Sequence, residues 1–253
     1  MSRPVPEGWE NPQPLSEIAQ IITSSVDKKS EEGQKPVKLC NYMDVYCNSE
    51  ITSKISFMEV TASPEEINKY SLQIGDVIIT KDSETPDDIG IPAYMAENIE
   101  NLVCGYHLTI LRPHPEVING RYLTFVLDAK ESKDQFHRLA NGATRFGLTA
   151  EAYRKVTVPM PSLPEQQKIA EILSSVDAAI DATRAVIDQI RRTQKALMEE
   201  LLTKGLPGKG IKHWTHVRLK DVAQVQTGIA KNKNKTHTTT VTVPYLRVAN
   251  VQD

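Results

Sequence analysis

One stretch constrains this chain more than any other. Ser162 and Glu165 have the spacing of a capping box, Gly205 and Pro207 are stop signals, and no proline or glycine lies between 165 and 203. Residues 163–203 therefore read as a single helix, a rod roughly 60 Å long at about 1.5 Å per residue. Along it Ile169, Leu173, Val176, Ile180, Thr183, Ile187, Ile190, Gln194, Leu197 and Leu201 alternate in steps of four and three. That alternation is the a/d seam of a coiled coil. A core helix packed on its own domain is the alternative, but a compact domain covers only part of so long a rod. Eight of the ten seam side chains are large and apolar, each worth about 1.5–3 kcal/mol when buried, an upper estimate. Such a stripe needs a partner helix. No second rod of matching length occurs in the sequence, so the partner is expected from another chain. Thr183 and Gln194 interrupt the seam, and polar core positions set register and orientation.

The residues before the rod mix element types. "LSEIAQII" (15–22) predicts an amphipathic helix, "KKSEEGQK" (28–35) a polar loop, and "PVKLCNYMDVY" (36–46) a strand and turn. "SPEEINKY" (63–70) has Ser63 as N-cap, Pro64 at the first helical position and Glu66 to close a capping box. Gly75–Asp76 turns into a strand from Val77 to Thr80, and "GYHLTILRP" (105–113) predicts another. Helices are expected over 120–130 and 132–140, then a glycine-punctuated loop "NGATRFGLT" (141–149), a helix capped by Thr149, and a last strand, "VTVPMP". With no strict βαβ alternation, the class is α+β: a mixed domain over 1–160, the long helix over 161–204, and a tail over 205–253.

The tail echoes the start. Trp214 answers Trp9, "LKDVAQ" answers "LSEIAQ", and each is followed by a polar loop bearing lysines. Residues 205–253 thus read as the opening of a second copy of the first domain.

Charge and composition narrow the function. Residues 1–160 carry 16 basic and 23 acidic side chains, a net of −7, against +6 (8 basic, 2 acidic) for 205–253. An acidic domain touches nucleic acid only through a local basic patch. No apolar run approaches the roughly 18 residues of a membrane span, and "MSRPVPEGWENPQP" lacks the pattern of a signal peptide. Cys40, Cys47 and Cys104 fit no close metal-ligand spacing and read as reduced intracellular thiols.

The run "GDVIITKD" (75–82), the run "NGATRFGLTAEAYRKVTVPMPSLPEQQKIAEIL" (141–173) and the repeated tryptophan-led opening resemble the specificity (S) subunits of type I restriction–modification systems. Residues 142–173 are the most specific part, and the resemblance extends over essentially the whole chain. It implies two target-recognition domains, each reading half of a bipartite DNA site, and an antiparallel pair of long helices that sets the gap between half-sites. It implies no catalysis and no cofactor in this chain. S-adenosylmethionine, ATP and Mg²⁺ would belong to the methyltransferase (M) and restriction (R) subunits that the S subunit recruits in a prokaryotic cytoplasm. With one rod and one complete recognition domain, the chain resembles half-length members that homodimerise on double-stranded DNA. Two copies would read a symmetric, interrupted site whose spacing follows the rod.

Candidate DNA contacts follow from chemistry. The loop after the 77–80 strand offers Thr80, Lys81 and Ser83, and "NGATR" offers Asn141, Thr144 and Arg145. Arginine, lysine and asparagine suit base edges, serine and threonine suit phosphates, and Lys28, Lys29, Lys231, Lys233 and Lys235 could neutralise phosphate. Each lysine reads more readily as a solvated loop charge. A coiled-coil assembly protein that no longer binds DNA is the competing function. Catalytic patterns are weak. "NPQP" (11–14) lacks the aromatic that stacks on a flipped base. Pro86–Asp87 with Asp128 and Lys130 makes a poor nuclease pattern, and His213 and His216 have no third metal ligand nearby.

Overall fold

The computed structural model describes residues 6–86, 88–207 and 215–226. The chain divides into two compact units, Met1–Asp188 and Gln189–Asp253. The first half of unit one holds β1 (Glu10–Pro14), α1 (Leu15–Ile18), β2 (Ala19–Thr23), β3 (Lys35–Cys40), α2 (Tyr42–Tyr46), β4 (Glu50–Ile51), β5 (Met58–Ala62), α3 (Pro64–Tyr70) and β6 (Val77–Thr80). There follow β7 (Asp82–Ser83), β8 (Pro92–Met95), β9 (Leu102–Cys104), β10 (Leu108–Pro113), α4 (Gly120–Asp128), α5 (Lys130–Leu139), β11 (Phe146–Gly147), α6 (Ala150–Lys155) and β12 (Thr157–Met160). The long helix α7 (Leu163–Lys204) runs on into the second unit, which also contains α8 (Leu219–Val222).

The centre is a five-stranded sheet in the order β2-β10-β6-β8-β4, antiparallel except for its last pair. β6 is buried at every position because both faces of the sheet are covered. Ile22, Ile78 and Ile110 enter one core with Val37, Leu39 and Val103 from the three-stranded sheet β5-β3-β9. Val77, Ile79 and Leu111 enter a second core with Tyr122, Leu123 and Leu127 of α4, Phe136 of α5 and Tyr153 of α6. Alternation along one strand thus feeds two cores, as the period of two requires.

Several expected elements hold. Ser63 and Glu66 form the capping box of α3, with Glu66 N donating to Ser63 Oγ (3.2 Å) and Ser63 N to Glu66 Oε2 (2.9 Å). Thr149 Oγ1 accepts from Ala152 N at 3.3 Å to cap α6. The two helices expected over 120–140 are α4 and α5, separated at Ala129, whose ψ of 149° is extended.

The helix expected over 15–22 is corrected. It is one helical turn, α1, followed by the strand β2. Leu15, Ile18, Ala19 and Ile22 have helical spacing, yet the first three belong to the second core and Ile22 to the first. A helix would send all four to one face. Five registered pairs with β10 and the β-branched run Ile21–Thr23 favour the strand. The turn expected before Tyr46 is a helix, α2, whose start is held by Asn41 N donating to Asp44 Oδ2 at 2.7 Å.

The "PEQ" motif explains how α7 is rooted. Gln166 is 1% exposed. Its Nε2 donates to Pro161 O (2.9 Å) and Val117 O (3.2 Å), and its Oε1 accepts from Asn119 N (2.9 Å). One side chain therefore clamps the helix to two loops, and Ala170 packs beneath it in the second core. The carboxylate expected to close a capping box on Ser162 takes another donor: Glu165 Oε1 accepts from the indole Nε1 of Trp9 at 2.9 Å. Among the described residues no helix is long and apolar enough to cross a membrane.

Candidate nucleic-acid interface

Two loops far apart in sequence form one ribbon. β7 and β11 pair antiparallel, Ser83 opposite Phe146 and Asp82 opposite Gly147, and Leu148 N donates to Lys81 O at 2.9 Å to continue the ladder. The second loop closes on itself, because Asn141 N donates to Gly147 O (3.0 Å) and Gly147 N to Asn141 O (2.9 Å). Gly142 makes that closure possible. Its φ is +149°, and a Cβ there would lie 1.9 Å from the carbonyl oxygen of Arg145. Gly142→Ala is therefore expected to open the loop. Hydrogen exchange at the Asn141 and Gly147 amides should quicken about tenfold or more while the melting temperature scarcely moves, since the loop is solvent-exposed.

The ribbon borders a cleft of about 450 Å³ whose lining includes Lys28, Tyr42, Met43, Tyr46, Asp82, Ser83, Glu84, Asp88, His107 and Arg145. Tyr42 and Tyr46 stack with ring centroids 5.5 Å apart, and Met43 stands out beside them, 57% exposed. The Asp82 carboxylate is held by His107 Nδ1 at 2.8 Å. The Asp88 carboxylate beside the Tyr46 hydroxyl pushes the phenol above its ordinary range. Burial raises Tyr42, with Asp88 adding to the effect.

The structure sorts the candidate contacts. Lys28, Thr144 and Arg145 face solvent, and Lys28 and Arg145 line the cleft. Lys29 is exposed but leans on Asp27 at 3.7 Å. Four of the candidates have polar groups engaged with nearby backbone. Thr80 is fully buried, and its Oγ1 accepts from Ile91 N at 3.0 Å, a strand-end tie. Ser83 is 8% exposed and accepts from Thr85 N at 3.3 Å. Lys81 turns back toward Ser24 O, with Nζ at 3.5 Å. Asn141 spends its amide on Leu139 O at 3.1 Å, at the base of the loop. In each case the polar group satisfies nearby backbone, which sequence chemistry cannot distinguish from availability to a ligand. Lys231, Lys233, Lys235, Trp214 and His213 lie outside the described residues, as does Asp87.

The cleft residues that sequence reading passed over are Tyr42, Tyr46, Glu84, Asp88 and His107. A signal existed for the first two: i,i+4 tyrosines behind an Asn-x-x-Asp cap. The nuclease-like pattern is drawn apart, with Asp128 pairing to Lys133 and Lys130 to Asp134, both at 2.7 Å. "NPQP" lies in β1, paired with β12. Cys40 and Cys104 are buried in registered neighbours, their thiols pushed up by that burial, and Cys47 is exposed; all three are free.

The rod presents a second surface. Leu173, Val176, Ile180, Ile187, Ile190, Leu197 and Leu201 are between 38% and 62% exposed, and Ile172, Val186, Met198 and Leu202 widen the stripe. At the start of the expected seam, Ile169 is partly buried against the chain's own second core. Within the first unit, Gln166, Ile169 and Ala170 pack on the globule. Thr183 Oγ1 donates to Ala179 O at 2.7 Å, and Gln194 is exposed.

A family model described as "Type I restriction modification DNA specificity domain" matches residues 6–192. Among curated proteins, the putative type I restriction enzyme MjaX specificity subunit of Methanocaldococcus jannaschii is 27% identical over 203 residues, 80% of this chain and 47% of that protein. The type I restriction enzyme EcoKI specificity subunit of Escherichia coli K12 is 24% identical over 215 residues, 83% of this chain and 45% of the relative. The chain spans about half the length of the curated relatives it matches. The HsdS subunit from Thermoanaerobacter tengcongensis shares the fold, with a TM-score of 0.52 at 19% identity over 81% of this chain and 47% of that one. A chain solved in work on complex assembly and conformational transition of the type I R-M system gives 0.55 at 19% identity, over 81% and 48%.

Proposed function

The chain belongs to the type I restriction–modification DNA specificity family, and from that premise we propose that it is a non-catalytic, sequence-specific DNA-recognition subunit. The observation that carries this reading is the pairing of Asp82–Ser83 with Phe146–Gly147 into one ribbon beside one cleft. Residues 1–160 are the target-recognition domain, 161–204 the spacer helix and 205–253 the opening of a second recognition domain. Local conformation supports that last assignment. α8 is a four-residue helix like α1, and its C-cap Ala223 (φ −149°, ψ 145°) repeats that of Ala19 (φ −149°, ψ 147°).

The exposed stripe on α7 takes the same stripe of a second copy. Two recognition domains then stand at a separation set by the paired helices, and the target is bipartite and two-fold symmetric. Methyltransferase and restriction subunits bind this dimer and bring S-adenosylmethionine, ATP and Mg²⁺ with them.

A selection from randomised duplexes, run with the full chain and a type I methyltransferase subunit, tests this. An interrupted, symmetric sequence should be enriched, in complexes holding two copies of this chain. Two-copy assembly with no sequence preference at any salt concentration would instead favour the assembly protein that has lost DNA binding, the reading to which the −7 charge of residues 1–160 points.

A further inference from the structure

The charges around the cleft are not equally committed. Asp82 is held by His107, and Asp88 lies close enough to Tyr46 to raise its phenol. Glu84 and Arg145 are both exposed and line the same cleft, and among the described residues neither is in an ion pair. They flank the registered pair Ser83–Phe146, Glu84 just after Ser83 and Arg145 just before Phe146. A carboxylate and a guanidinium in no ion pair among the described residues thus follow the last registered pair on opposite strands of a two-stranded antiparallel ribbon.

A ribbon of that width fits the DNA major groove, and there the two charges have matching partners. A carboxylate among phosphates is repelled unless a donor faces it, and the donors on the groove floor are exocyclic amines. Guanine offers O6 and N7 to a guanidinium fork, and the paired cytosine offers its N4 amine to a carboxylate. An A·T pair gives the carboxylate an amine but leaves the fork no two-acceptor edge, because adenine N7 stands beside that same amine. Resting on the DNA-recognition reading above, we infer that the half-site contains a G·C pair read jointly by this ribbon, Arg145 on guanine and Glu84 on the cytosine amine.

The test compares half-sites selected by the wild-type chain, Glu84→Ala and Arg145→Ala, each with the methyltransferase subunit. Binding is then measured on the wild-type duplex and on its single-pair variants. Melting curves confirm that both exposed substitutions leave the fold intact. The wild type should disfavour replacement of one G·C pair by about ten- to a hundredfold. Both substitutions should abolish discrimination at that same pair and leave the other positions unchanged. The inference is overturned if the half-site has no G·C pair, or if the two variants relax different pairs or none. It is also overturned if Arg145→Ala weakens every duplex alike with a shallower salt dependence, the mark of a phosphate contact. If the wild type selects no sequence at all, the failure lies in the DNA-recognition reading itself, and the G·C assignment goes with it.

Discussion

Replacing Ile180 and Ile187 together by aspartate is expected to turn a two-copy assembly into single chains. Both residues are 43% exposed in the isolated chain, so the globular unit does not depend on them. In a paired helix the part of each still exposed would be buried, at about 0.6–1.3 kcal/mol per side chain. Two sites in two chains lose about 2.5–5 kcal/mol, roughly a 10²- to 10⁴-fold rise in the dissociation constant. Buried carboxylates would add to the loss. Sedimentation velocity over a concentration series reads the change directly. Thermal melting of the globular unit should be unaltered, which separates loss of pairing from loss of fold. A wild-type chain that sediments as a folded monomer at every concentration would end the dimer reading. A doubly substituted chain that stays dimeric would move the interface elsewhere.

The largest expected loss of stability follows from Asp76→Ala. Asp76 is 1% exposed, and its two oxygens accept from Arg112 Nε (2.8 Å) and Nη2 (2.9 Å). It also accepts from Gln73 N at 2.8 Å, across the turn that starts β6. Arg112 Nη2 reaches on to Ser71 O at 3.0 Å. The hydrogen bond to Asp76 raises the Arg112 pKa further still, so the guanidinium stays charged. Removing the carboxylate strands that cation and frees a turn amide, at a cost of about 3–5 kcal/mol. The lower end applies here, because the arginine side chain is 25% exposed. For a domain of this size the melting temperature should fall by about 10 °C. The double variant Asp76→Ala/Arg112→Met should recover most of that loss, since no buried charge is then left unpaired. A drop of only a degree or two in the single variant would refute the account.

How far these features could be seen in advance depended on the range of the forces behind them. The α3 capping box, the Thr149 cap and the extent of α7 rest on side chains three or four positions apart, and each is written in consecutive residues. The 15–22 segment shows the limit. Its spacing suits a helix, and nothing local reveals that Ile22 faces a different core from Leu15. Likewise Thr80, Ser83 and Asn141 have the chemistry of DNA contacts, but a backbone group close in space claims each of them first. Glu84 escaped notice because a lone glutamate in a loop acquires meaning only from its neighbour across a ladder.

By itself the sequence determined the long helix, its apolar stripe and the run of residues that marks the family, because helical periodicity and capping act within a few residues along the chain. Only the tertiary structure decided that the stripe stays part-exposed from Leu173 onward, that Gln166 anchors the rod, and that Asp82–Ser83 and Phe146–Gly147 join into one ribbon. The anchor and the ribbon depend on backbone partners 47 and 49 residues away for Gln166 and about sixty residues away for the ribbon, and hydrogen-bond registry at that range leaves no periodic trace in the order of the amino acids.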